Sequence, residues 1–189
     1  MRNLLAACLA AGLLVAFVPA MGAKPPVTPN KIVVAYDIPG VGSGLHFSSD
    51  VVADIFLGNI THWNDSRITK LNPGTNFPNT PIVPFHRSDS CAVTARFTAY
   101  LSSASARWKK TVGSGKTVKW PKGLGGKGDP GVAAEIKQAP GGIGYLTLSY
   151  AVKYSVFYTS LPTQKTQFIS PARLNPTHTS NLSGRPSRK

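Results

Sequence analysis

Pro81-Ile82-Val83-Pro84-Phe85-His86, running into Arg87-Ser88-Asp89-Ser90-Cys91-Ala92-Val93-Thr94, decides how this chain folds. The first six residues have the composition of a β-strand, with prolines near its ends where a missing N–H costs no ladder bond. From Val93 onward the apolar residues recur at Phe97, Tyr100 and Leu101, the spacing of one helix face. The loop between them therefore stands at a strand tip and a helix start, where α/β sheets bind ligands. Free backbone N–H groups and the macrodipole favour an anion there. Arg87 adds a permanent cation whose planar donor fork suits phosphate or carboxylate. Asp89 is suited either to hold Arg87 in place or to take a proton from a protonated anion. Two readings stay open on this segment alone: an anion site, or a local Arg87–Asp89 ion pair beside an ordinary helix cap.

Outward from that loop the chain alternates strands and helices. Lys31 to Tyr36 is a β-rich run ended by the turn pair Pro39-Gly40. Ser48 or Ser49 caps a short helix over Asp50 to Leu57, with Val51, Val52, Ile55 and Phe56 inward and Gly58 closing it. Asp65 or Ser66 caps another, which ends before Asn72-Pro73-Gly74. Thr117 to Trp120 is expected as a short strand, and the glycine run Gly123 to Gly128 as a flexible connector or, alternatively, a cradle for an anion through its backbone N–H groups. Asp129 and Pro130 are expected to open a helix as cap and first residue. Val132, Ala133 and Ile136 form its inner face, Pro140-Gly141-Gly142 ends it, and Ile143 to Leu148 is the next strand.

The N-terminus has the pattern of an export signal: Arg2, then an apolar stretch from Leu4 to Val18, then small residues Ala20, Gly22 and Ala23. The expected organisation is a signal peptide at 1–23, one α/β lobe at 24–171, and a disordered basic tail at 172–189. Cys8 leaves with the signal, so Cys91 is the only cysteine of the mature chain and no internal disulfide is available. The formal charge of +14 attracts anions in general without choosing one. The chain lacks an RNA-binding or helix-turn-helix signature, which argues against a specific nucleic-acid partner.

Several motifs fail on inspection. Gly113-Ser114-Gly115-Lys116-Thr117 resembles the end of a P-loop, but the required first glycine is Lys110. The four histidines, His46, His62, His86 and His178, lack metal-ligand spacing, and no carboxylate pair stands out for acid–base work. Trp63, Trp108 and Trp120 fit core packing. A Cys91–His86 nucleophilic pair lacks a third group to orient the histidine. No cofactor is expected, and the chain is not expected to be an enzyme.

A family resemblance rests on longer motifs in fixed order. Asp54-Ile55-Phe56-Leu57-Gly58-Asn59-Ile60-Thr61-His62-Trp63-Asn64-Asp65 is followed by Leu71-Asn72-Pro73-Gly74 and Arg87-Ser88-Asp89. Val118-Lys119-Trp120-Pro121 with the glycine run, Gly131-Val132-Ala133-Ala134, and Pro140-Gly141-Gly142-Ile143-Gly144-Tyr145 complete the set. These resemble the periplasmic phosphate-binding proteins of ABC phosphate transporters (PstS-type), from about Lys31 to Pro171. The resemblance implies a type II periplasmic-binding-protein fold, of which this chain holds a single lobe, a mixed sheet flanked by helices. It further implies inorganic phosphate as ligand, permease subunits of the transporter as partners, a periplasmic or secreted location, and no metal.

Phosphate contacts would fall on Arg87, Asp89, Ser90, Cys91, Ala92, Val93 and Thr94. Three departures accompany the resemblance. The family's opening Gly-Ala-Gly segment and the rest of the first lobe have no counterpart, so a separate chain supplying that lobe is a further expected partner. Ser90, Cys91, Ala92 and Val93 replace the Gly, Ser, Gly and Thr of the family's loop, with Thr94 as partial compensation. Each hydrogen bond lost to a charged ligand costs about 1.5–3 kcal/mol, so binding is expected to be weakened. The segment after Pro171 leaves the family pattern. The alternative is a degenerate or regulatory interaction protein that no longer binds phosphate alone.

Overall fold

The computed structural model describes residues 31–161; the expected signal peptide and basic tail lie outside the described residues. Its centre is a five-stranded mixed sheet. The first strand, β1 (Ile32–Asp37), is buried on both faces and pairs antiparallel with β4 (Gly142–Thr147) and β5 (Phe157–Ser160). β2 (Val83–Arg87) lies parallel to β4 on one side and to the short β3 (Leu124–Gly126) on the other. The order across the sheet is β3-β2-β4-β1-β5.

Both faces are covered, as the near-continuous apolar strands require. Alternate residues of β1 divide between two cores: Val34 and Tyr36 on one face, Val33 and Ala35 on the other. The first core holds α1 (Ser49–Leu57), α2 (Ser66–Thr69), α3 (Ala92–Ala104) and α4 (Ala106–Thr111), through Ile55, Phe56, Ile68, Phe97, Leu101 and Trp108. The second holds α5 (Gly128–Gln138) and α6 (Leu148–Lys153), through Val132, Ala133, Ile136 and Ala151. An α/β lobe with a mixed sheet and flanking helices is the architecture expected from the sequence.

The caps of α1 and α2 follow the sequence closely. Ser48 accepts from the Val51 N–H, and Gly58 closes α1 at φ 80°, a left-handed position that favours glycine. Asp65 caps α2. Pro84 sits inside β2, yet β3 pairs with β2 only from Phe85 onward, so its missing N–H falls on a side still without a partner strand.

Three expectations are corrected. Thr117 to Trp120 is irregular, and the extra strand lies in the glycine run instead, at β3. That run is structured because a Cβ on Gly126 would stand 2.7 Å from the Val132 backbone N, so its lack of a side chain lets β3 lie directly on α5. Helix α5 starts at Gly128 with Lys127 as N-cap, and Asp129 sits in the first turn with its side chain drawn elsewhere. α4, α6 and β5 went unread; the first two are six residues each, too short for a helical period to show.

Candidate functional site

β2 carries Arg87 to the tip of the sheet, between the starts of α3 and α5. Its guanidinium fork grips Asp89 in bidentate fashion, Nε to Oδ1 at 2.8 Å and Nη2 to Oδ2 at 2.5 Å. The remaining nitrogen, Nη1, donates to Asp129 Oδ1. Asp129 is anchored from behind: its Oδ2 accepts from the Thr147 N–H at 3.1 Å and the Thr147 hydroxyl at 2.7 Å. Asp89 Oδ1 also accepts from the Gly128 N–H at 3.0 Å. The arginine is therefore fixed at all three nitrogens, while two of its five N–H bonds stay uncommitted by these contacts.

Arg87 is 11 % exposed, Asp129 5 % and Asp89 37 %. The paired carboxylates push the Arg87 pKa further up, with Asp89 the larger influence. The hydrogen bonds from Arg87 hold the Asp89 carboxyl well below the usual range. Together the three side chains carry a formal charge of −1.

A second chain of hydrogen bonds ties the strand tip to the helix start. The Arg87 N–H donates to the Tyr145 hydroxyl at 3.2 Å, which lies 2.7 Å from Thr94 Oγ1. Thr94 Oγ1 is 3.2 Å from Cys91 Sγ, and that sulfur caps α3 by accepting from the Thr94 N–H at 3.4 Å. The Cys91 N–H is taken by the Lys116 carbonyl. Burial pushes the Tyr145 phenol up to about 12, so it stays a neutral hydroxyl. Tyr145 is itself clamped in an aromatic stack with Phe97 at 4.2 Å and Trp120 at 5.7 Å.

The expected site residues are thus brought to one place but not to equal positions. Ser90 and Ala92 are exposed, Cys91 and Val93 half-buried, and Thr94 buried. The hydroxyl of Thr94 lies within hydrogen-bond distance of both Tyr145 and Cys91, and the residue is buried. Ala92 and Val93 occupy the first turn of α3, whose N–H groups have no intrahelical acceptors.

His86 does not pair with Cys91. Its ring stacks on Trp120 at 4.8 Å and 7°, and Nδ1 lies 3.1 Å from the Arg87 carbonyl. Trp63 and Trp108 are core residues as expected, whereas Trp120 is half-buried beneath that histidine. Among the described residues no group of three or more His, Cys, Asp or Glu could hold a metal ion. Asp129, Tyr145 and Thr147 were missed as site residues, because each lies more than 40 positions from Arg87 and only the sheet brings them together.

A mixed sheet flanked by helices, with a loop between a strand tip and a helix start, is an arrangement in which α/β proteins place ligands. The family model of the PBP superfamily domain matches residues 20–178, and the chain belongs to that family. Among curated relatives it is similar to the phosphate-binding protein PstS of Pasteurella multocida, 46% identical over 137 residues, covering 72% of this chain and 40% of the relative. PstS of Methanocaldococcus jannaschii is 43% identical over 150 residues, covering 75% and 39%. The chain thus spans about 40% of the length of the relatives it matches.

Solved structures agree on the fold. A possible phosphate-binding protein from Planctomyces limnophilus superposes with a TM-score of 0.52 at 14% identity, covering 76% of this chain and 45% of that one. PstS from Borrelia burgdorferi gives 0.50 at 18%, covering 70% and 49%.

Proposed function

We propose that this chain binds inorganic phosphate as the substrate-binding component of an ABC phosphate import system, in the periplasm or outside the cell. The observation that carries the reading is the Arg87 fork, fixed at a strand tip by Asp89 and Asp129 with unused N–H bonds beside the start of α3. The relatives' printed function, phosphate binding, supports it. In this reading Arg87 anchors the anion, Asp89 orients Arg87 and accepts a phosphate proton, Ser90 offers its N–H and hydroxyl, Ala92 and Val93 offer N–H donors, and Cys91, whose own N–H is taken by Lys116, lines the anion with its thiol side. Thr94 holds the loop from behind. Its partners in this reading are the transporter's permease subunits and a separate chain that adds a first lobe, while the Arg87 site binds phosphate without that chain.

The test is isothermal titration of the purified chain with phosphate at low salt. The control is Arg87→Gln with Asp129→Asn, which removes the fork without leaving a buried charge unpaired. Saturable binding lost in the control supports the reading. No binding at millimolar phosphate overturns it.

A second reading, an interaction protein that no longer binds phosphate alone, is favoured by the loop itself. Cys91, Ala92 and Val93 provide no hydroxyl, and the charged side chains of the site sum to −1. Co-purification of a partner chain together with silent phosphate titrations would select it.

A further inference from the structure

We propose that Lys116 and Lys127 form a cationic rim that draws a doubly charged oxyanion to the Arg87 site, an inference that rests on the phosphate reading above. The need for such a rim follows from the charge of the site. Arg87 faces two carboxylates, so a dianion approaching these three side chains alone meets net negative charge. Between Asp89 and Asp129 the sequence has no acid and eight Lys and Arg residues. Two of the eight are joined to the site through the backbone.

Lys116 accepts the Cys91 N–H with its carbonyl at 3.2 Å, and Cys91 is the N-cap of α3. Lys127 is the N-cap of α5 and precedes Gly128, whose N–H reaches Asp89 at 3.0 Å. The two lysines therefore stand at the two helix starts that bracket the Arg87 loop. Both are exposed, and neither has an ion-pair partner among the described residues. Exposed charges act through solvent over about 8–10 Å at ordinary ionic strength. Cations whose backbone is joined to a site concentrate an anion there without touching it, and salt removes the effect.

The experiment is isothermal titration of the full chain with inorganic phosphate near pH 8, where the dianion dominates, at low and moderate NaCl. Wild-type affinity is expected to fall roughly tenfold between about 20 and about 200 mM salt. Lys116→Gln with Lys127→Gln is expected to bind roughly five- to tenfold more weakly at low salt and to lose most of that salt dependence. Lys137→Gln with Lys153→Gln removes the same charge from the exposed last turns of α5 and α6, and is expected to behave as wild type. If the rim variant matches this control at both salts, the rim is overturned while the phosphate site stands. If wild type shows no saturable binding at either salt, the phosphate reading fails and the rim with it.

Discussion

At the scale of single residues the site is built around one arginine that is almost wholly occupied by protein. Removing it alone leaves Asp129, 5 % exposed, with only Thr147 as partner. Arg87→Ala should therefore cost about 3–5 kcal/mol in urea unfolding, as breaking a buried pair does, whereas the double change with Asp129→Asn should recover much of it. Tyr145 is the hinge of the second network. Tyr145→Phe keeps the stack on Phe97 and Trp120 but strips a partner from the Arg87 N–H and the Thr94 hydroxyl. A loss of about 1–3 kcal/mol is expected, and a double-mutant cycle with Thr94→Val should show coupling between the two positions. Asp89 gives the pH dependence. Arg87 depresses its folded pKa below that of the unfolded chain, so its contribution is complete above the ordinary carboxylate value. That contribution fades as pH falls toward the lower folded pKa. Asp89→Asn should accordingly flatten the stability profile below about pH 4 and leave its shape near neutrality unchanged.

At the scale of elements, α3 and β3 each make a distinct prediction. The N-cap of α3 is a cysteine, whose sulfur is a weak acceptor 3.4 Å from the Thr94 N–H. Cys91→Ser should stabilise the helix by about 0.5–1 kcal/mol in thermal melts, within the range of cap substitutions. Adding Ala92→Gly and Val93→Thr should strengthen phosphate binding by titration; unchanged affinity would argue that this loop does not touch the anion. Gly126→Ala should separate β3 from α5 and cost about 2 kcal/mol or more, since the new methyl meets backbone that cannot yield. These elements also show what the sequence could reveal. The caps Ser48, Gly58 and Asp65 were legible because capping chemistry is local. The strand, the loop and the face of α3 were legible for the same reason. β3 was not, because a three-residue strand made mostly of glycine has no apolar alternation, and only the approach of Val132 explains it. Asp129 was read as a cap because its position suits one. Its true partners, Arg87 and Thr147, lie 42 and 18 residues away, and no local rule reaches them.

At the scale of the whole molecule, charge and topology matter more than any contact. A chain with a formal charge of +14 repels itself, and added monovalent salt should relieve that repulsion. The melting temperature is therefore expected to rise between low and moderate NaCl, opposite in direction to the fall in phosphate affinity. A falling melting temperature would mean that the Arg67–Asp54 and Arg67–Asp65 pairs outweigh the general repulsion. The sheet order has a different consequence, in time. β1 is the first strand among the described residues, yet both of its neighbours, β4 and β5, are made more than 100 residues later. On a ribosome, Ile-Val-Val-Ala-Tyr must wait unpaired while nearly the whole lobe is synthesised. Pairings so distant in sequence slow folding and prolong the exposure of sticky segments. A nascent chain of this design depends, for as long as that wait lasts, on whatever keeps its first strand from finding the wrong partner.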